Sequence, residues 1–282
     1  MVALNSPVFS SSMAPSASAS ASALASASTA SALSDARVIR GEGTPESRWR
    51  KWLPTAGIPV CSALELLPRK SRLVVVAPHP DDEVLACGGL MAAHAANAGE
   101  TLIVAVSDGE ASHTGAPGWT ASNLAAARRA ESAVGLERLG ARDSTVVRLG
   151  LADGRINRSL GELSQRLHGL LKPTDVVVTT WRFDGHPDHD ATGLATANAC
   201  ADAGCRLLEA PVWMWHWASP GNPRVSWRRL TGVAIGRAAS HAKLGALAAH
   251  TTQLMARDAT RGPVLGPEIV ARAARDTEYF FV

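Results

Sequence analysis

Two short stretches of the chain concentrate imidazole and carboxylate groups. The first is Pro78-His79-Pro80-Asp81-Asp82-Glu83, and the second is Asp184-Gly185-His186-Pro187-Asp188-His189. In each, two potential metal ligands stand three residues apart, His79 with Asp82 and His186 with His189. At that spacing the side chains of one helical turn face the same side. Imidazole and carboxylate donors suit Zn2+, and the same set accepts Fe2+. A structural zinc site takes four protein ligands, usually with thiolates among them, whereas a catalytic site takes three and keeps a position for water. His79 and Asp82 therefore need a third ligand from elsewhere, and either histidine of the second stretch can supply it. Asp81, between the first two, points elsewhere and is left beside the ion as a carboxylate free to move a proton.

The elements that must position these groups are legible on either side of them. Leu73-Val74-Val75-Val76-Ala77 is an unbroken apolar run that reads as a strand buried on both faces, and Pro78 and Pro80 forbid its continuation. Val84 to Ala98 is long enough for a helix. Asp175 to Thr180 is a second such strand directly before the second stretch. Further strands are expected at Thr101–Val106 and Thr145–Leu149, with helices at Ala121–Leu139 and Leu160–Leu171 between them. Polar residues follow the strand ends here too, as Ser107-Asp108-Gly109-Glu110 and Asp153-Gly154. This alternation predicts an α/β, Rossmann-like three-layer fold with a mostly parallel sheet and helices on both faces, and one cleft at the strand ends. No G-x-G-x-x-G follows a strand, so a nucleotide cofactor has no support.

Outside that frame, Thr44-Pro45-Glu46 starts a short helix to about Leu53, with Trp49 and Trp52 as its docking face. A helix runs beyond Gly193 to Ala201, strands are expected at Glu209–Met214 and Leu230–Ile235, and helices at Ser240–Ala256, carrying His250, and Pro267–Arg275. Trp213-Met214-Trp215-His216-Trp217 reads either as packing or as an apolar wall for a substrate or subunit.

Composition bounds the rest. The chain has 282 residues, is 46% apolar and carries a net charge of +3, ample for a core and too small a charge to argue for nucleic acid. No apolar run reaches the roughly 18 residues a membrane helix needs. Cys61, Cys87, Cys200 and Cys205 have no C-x-x-C spacing and read as free thiols of a reducing compartment. Residues 1–40 form a Ser/Ala-rich tail expected to be disordered, and residues 41–282 form the domain. The tail lacks the basic start and apolar centre of a signal peptide, so the expected location is cytoplasmic. A homo-oligomer is compatible with all of this.

The two motifs together resemble the PIG-L/LmbE family of zinc-dependent N-acetylglucosaminyl deacetylases. Smaller echoes extend the likeness from about Thr44 onward: Gly88-Gly89, Asp108-Gly109-Glu110, Arg128 with Glu131, Leu149 to Gly154, Lys243, His250 and Gln253. The resemblance implies Zn2+ held by His79, Asp82 and His189, with Asp81 as general base. His186 would steady the oxyanion as imidazolium, oriented by Asp188. Arg128 and Asp153 match positions that contact sugar hydroxyls, although Arg128 is equally able to pair with Glu131 and Asp153 to serve as a turn residue. One departure is visible: Phe183 and Asp184 occupy a loop where mycothiol-type members carry a tyrosine. The implied substrate is a small N-acylated sugar or glycoconjugate. An amidase of non-sugar or thiol-conjugate amides, a non-haem iron oxygenase using His79 and a carboxylate, and a non-catalytic carbohydrate-binding protein are the alternatives.

Overall fold

The structure is a computed structural model and describes residues 37–282. The expected disorder of the Ser/Ala-rich tail falls, but for residues 37–40, outside the described residues. The chain enters through α1 (Glu46–Trp52), then β1 (Val60–Ser62) and α2 (Ala63–Leu66), and reaches the first apolar strand, β2 (Leu73–Ala77). From there strand and helix alternate: α3 (Asp82–Ala95), β3 (Thr101–Ala105), α4 (Ala121–Arg138), β4 (Thr145–Arg148), α5 (Leu160–His168), β5 (Val176–Thr180), α6 (Pro187–Ala203) and β6 (Arg206–Ala210). The remaining elements are α7 (Met214–Trp217), β7 (Leu230–Ala234), α8 (Gly236–Leu247), α9 (Thr251–Leu254), α10 (Pro267–Ala273) and β8 (Thr277–Phe281).

One sheet holds the described strands in the order β1-β7-β8-β6-β5-β2-β3-β4. All pairs are parallel except those of β8, which runs antiparallel to both β6 and β7. β2, β3 and β5 are buried at every position, which is why their sequences are apolar without alternation. Successive residues of β2 feed opposite cores. Leu73 and Val75 pack with α3 and α8, whereas Val74 and Val76 pack with α5 and α6. This is the expected α/β layering, mostly parallel and covered on both faces. It is not the strand-rich barrel that the oxygenase alternative requires. No helix among the described residues is long and apolar enough to cross a membrane.

The topology selects one crevice. From β2 the chain winds outward through β3 to β4, then returns to β5 on the other side of β2. The carboxyl ends of β2 and β5 therefore flank a switch point, and there the loops diverge and leave room for a ligand. Both His/Asp stretches leave the sheet at this place.

Several boundaries differ from expectation for identifiable reasons. α6 begins at Pro187 rather than past Gly193, with proline at its first turn, where a missing N–H is harmless. The strand expected over Glu209–Met214 ends at Ala210, before Pro211, and residues 214–217 turn helical. The helix expected over Ser240–Ala256 is two helices parted at His250, whose φ/ψ of −81°/60° is not helical. β1 and β8 were not anticipated. β1 has only three residues, and β8 takes its place by pairing across β7 and β6. α1 docks through Trp49, fully buried, whose indole N–H donates to the Trp215 carbonyl at 2.9 Å. The tryptophan cluster divides between its two readings: Trp215 packs inside, while Trp213 faces the crevice.

Candidate metal centre

At the end of β2 the chain turns through Pro78-His79-Pro80 into Asp81, whose φ of 128° lies in the left-handed region that a residue with a Cβ adopts only under strain. The Glu83 carboxylate accepts the Asp81 N–H at 3.0 Å, and the Asp81 carbonyl accepts from Val84 and Leu85, so the turn is fixed from both sides. At the end of β5 the chain enters α6 with His186 as the N-cap, its Nδ1 accepting the Asp188 N–H at 3.2 Å.

These two corners bring His79, Asp82 and His189 together. His79 Nδ1 lies 3.0 Å and His189 Nε2 3.3 Å from the same oxygen, Asp82 Oδ2. The three donor atoms all lie within 4.8 Å of one another. The far edge of each imidazole is held by a carboxylate. His79 Nε2 is 3.1 Å from Asp153 and 3.2 Å from Asp188, and His189 Nδ1 is 2.8 Å from Asp184. Such outer carboxylates hold the proton on the far nitrogen and turn the bare one towards an ion. Two imidazoles and a carboxylate converging in this way fit a divalent cation. A second grouping, His79 with His186 and Asp188, meets the same distance. There, however, the Asp188 carboxylate is already engaged by the Gly154 and Ile156 N–H groups and by His79.

Asp184 belongs to the second stretch, but sequence reasoning gave it no role beyond a departure from a tyrosine. It is fully buried and accepts the N–H groups of Val212, Trp213 and Met214, each at 2.9 Å, as well as His189 Nδ1. A carboxylate five residues before a candidate ligand histidine was the available signal.

The electrostatics are those of a cation site. Burial opposes charge on His79, but Asp153, Asp188 and Asp82 outweigh it and raise its pKa well above the ordinary value. Burial is likewise overcome at His189, where Asp82 and Asp184 raise the pKa to about 9. Burial would raise Asp82, but His189 and His79 hold it far below the usual carboxylate range. In the metal-free protein, protons thus sit where positive charge is wanted.

Asp81 is 4% exposed, and burial, opposed by Arg128 and aided by Asp82, pushes its pKa up to about 7. Arg128 Nη2 stands 3.2 Å from the Asp81 carboxylate and donates to the Pro80 carbonyl at 2.6 Å, while Nη1 donates to Gly109 at 2.9 Å. The pairing of Arg128 with Glu131 does not form, because Glu131 instead accepts from Thr251 and Thr252. Asp153 faces His79 and also accepts the Ala111 N–H at 2.8 Å, so it braces an imidazole as well as lining the crevice.

At His186, burial, then the neighbouring His189 and His79, push the pKa down to about 3, and Nδ1 accepts a backbone N–H, which favours a neutral ring over the expected imidazolium. Asp188 does not orient His186 through its carboxylate, which serves His79. Its hydrogen bond to His186 is through its backbone N–H.

The crevice over these groups has a volume of about 300 Å³. Its polar wall is Asp81, Arg128, Ser112, Asp153 and Gln253, and its apolar wall is Leu85, Trp213, Val264 and Leu265. A three-donor His/Asp centre with a proton-holding carboxylate beside it, at the switch point of an α/β sheet, is the arrangement of a metal-dependent hydrolase.

Residues 74–200, which include both motifs, match the PIG-L family model, described as GlcNAc-PI de-N-acetylase. Among solved structures, N,N'-diacetylchitobiose deacetylase from Pyrococcus horikoshii is similar, with 19% identity over 76% of this chain and 81% of that one at a TM-score of 0.51. The A40926 pseudoaglycone deacetylase Dbv21 has 22% identity over 75% and 96% at 0.57. The zinc-inhibited form of teicoplanin deacetylase Orf2 has 18% over 65% and 85% at 0.52. At such identities the likeness is one of fold. No curated protein sequence matches the chain.

Proposed function

We propose that the protein is a metal-dependent N-deacetylase that hydrolyses the acyl amide of an N-acetylglucosamine-type sugar or glycoconjugate. The observation that carries this reading is the convergence of His79, Asp82 and His189 from two strand ends with Asp81 beside them. The family described as a de-N-acetylase and the deacetylases that share the fold support it.

His79, Asp82 and His189 would hold Zn2+ or Fe2+, and the bound cation supplies Lewis-acid polarisation of the amide carbonyl and a water of lowered pKa. Asp81 takes the proton of the attacking water and later delivers it to the leaving amine. A carboxyl group with a pKa near neutrality suits both halves of that task. Arg128, fastened to the Pro80 and Gly109 carbonyls, aims the Asp81 carboxylate and opposes the rise in its pKa. His186 acts as a neutral donor: with Nδ1 accepting, its Nε2–H is free to face the carbonyl oxygen as charge develops there. Asp153, Asp188 and Asp184 fix the ring orientations of His79 and His189. The polar wall of the crevice suits sugar hydroxyls, and Trp213 suits the apolar face of a pyranose.

The test is amine release from a panel of N-acetylated sugars by Zn2+-loaded protein. Asp81→Ala should keep its metal and lose about 10²- to 10⁴-fold in turnover, the worth of a general base. His189→Ala should lose the metal itself. Equal metal loss in the two variants would contradict the division of roles, and unchanged release in Asp81→Ala would remove the base from the mechanism. A preference for simple N-acyl amines over sugars would move the protein to the non-sugar amidases.

A further inference from the structure

The turn that carries Asp81 and Asp82 is nearly severed from the helix behind it. At Cys87, φ −150° and ψ 25° leave helical geometry, so α3 is one turn, a break and then a second helical segment. In an unbroken helix the Leu85 and Ala86 carbonyls would accept from Gly89 and Leu90. Here a side chain from another element has entered that ladder. Glu278, on β8, accepts the Gly89 N–H at 2.8 Å through Oε1 and the Leu90 N–H at 2.9 Å through Oε2. Lys243, on α8, stands 2.7 Å from the same Oε1 and donates to the freed Leu85 carbonyl at 3.1 Å. Both side chains are buried. Gly89 makes room for the arrangement, since a Cβ there would stand 2.3 Å from Cδ1 of Ile235.

An isolated turn is not self-supporting, because one or two hydrogen bonds do not offset the fixing of several residues. This turn is therefore held at its ends. At the front is the left-handed Asp81, and at the back is the Leu85 carbonyl on Lys243. Leu85 itself lines the crevice. We infer that Lys243 and Glu278 are positioning residues for the metal site: the pair holds the turn where Asp82 Oδ2 meets both imidazoles and Asp81 meets Arg128. This rests on the reading of His79, Asp82 and His189 as the ligands. Stability alone does not account for the pair, because apolar replacements of a buried ion pair are often neutral or stabilising. Its placement inside a helix break, with each charge satisfying backbone groups on opposite sides of the gap, is a matter of geometry.

The double variant Lys243→Met/Glu278→Gln tests the inference, since it removes both charges together and leaves neither buried alone. Three readings are taken on protein that folds by circular dichroism: Zn2+ affinity by chelator competition, the visible absorption of Co2+-loaded protein, and kcat and KM for amine release. The expected result is at least a tenfold weaker Zn2+ affinity, as for other groups that orient ligands, with a shifted Co2+ spectrum and a loss in kcat larger than the change in KM. Lys243→Arg, which keeps a charged donor, should retain the wild-type spectrum. A folded double variant with wild-type Zn2+ affinity and Co2+ spectrum would overturn the inference. Should the double variant not fold, Glu278→Asp, which keeps both charges but shortens the reach to the Gly89 and Leu90 N–H groups, decides by the same two metal readings. If the wild type released amine from no substrate, the reaction class would fall and the metal readings would still judge the positioning role. If the wild type bound no Zn2+, both would fall.

Discussion

The corner between β2 and α3 and the corner between β5 and α6 are built from the same parts, an apolar strand, proline, and two potential ligands three residues apart, yet they are held in opposite ways. The first is strained at Asp81 and spliced one turn later by residues from α8 and β8. The second leads into an unbroken 17-residue helix, capped by His186 at its start and by the left-handed Gly204 at its end. Behind it, Asp184 is locked by three backbone N–H groups. The difference matches the roles proposed for them. The corner that would carry the proton-moving carboxylate is a strained turn pinned by distant residues, and the corner that would supply the remaining imidazoles is the start of a continuous helix.

The comparison breaks most visibly at Asp184. Asp184→Ala leaves three buried N–H groups and His189 Nδ1 without an acceptor, so it should destabilise the protein by about 3–5 kcal/mol in urea unfolding. In whatever fraction folds, Zn2+ affinity should drop by about 10- to 100-fold. Retained stability would mean that the second corner is not the rigid one.

Metal removal should expose a pH dependence shared by both corners. The His79 and His189 pKa values are raised in the folded metal-free protein, so their protonation stabilises the fold. For His189 that contribution is complete below its ordinary value of 6.5 and is lost as pH rises through about 9. Chelator-treated protein should therefore lose thermal stability across that window, and Zn2+-loaded protein, whose imidazoles are already deprotonated, should lose less. Parallel pH profiles for the two forms would contradict the proposed ligands.

The smallest effect isolates strain in the first corner. Asp81→Gly and Asp81→Ala both delete the carboxylate, but only glycine adopts φ 128° without penalty. The glycine variant should be the more stable by about 1 kcal/mol, both being equally inactive. Equal unfolding midpoints would place the tension elsewhere.

Much of the frame was legible because burial on both faces of a strand writes itself as an unbroken apolar run, as at residues 73–77 and 176–180. The spacing of His79, Asp82, His186 and His189 was readable for the same local reason, and the structure brings these residues together at the switch point. What stayed hidden is what depends on distant partners. β8 looks unremarkable until β6 and β7 flank it, and Glu278 has no motif to announce that it completes a helix on another element. The charge state of His186 is set first by burial and then by His189 and His79, and neither its burial nor the approach of His79 from the other corner is revealed by its own spacing.

The tie between Gly89 and Glu278 spans 189 positions of sequence. Closing a loop of that length costs chain entropy before the contact rewards it, so contacts of such separation tend to form late. The pocket should consequently mature after most of the sheet. In refolding, recovery of Co2+ colour is expected to trail the return of secondary structure, and simultaneous recovery would mean that the turn assembles without its distant brace.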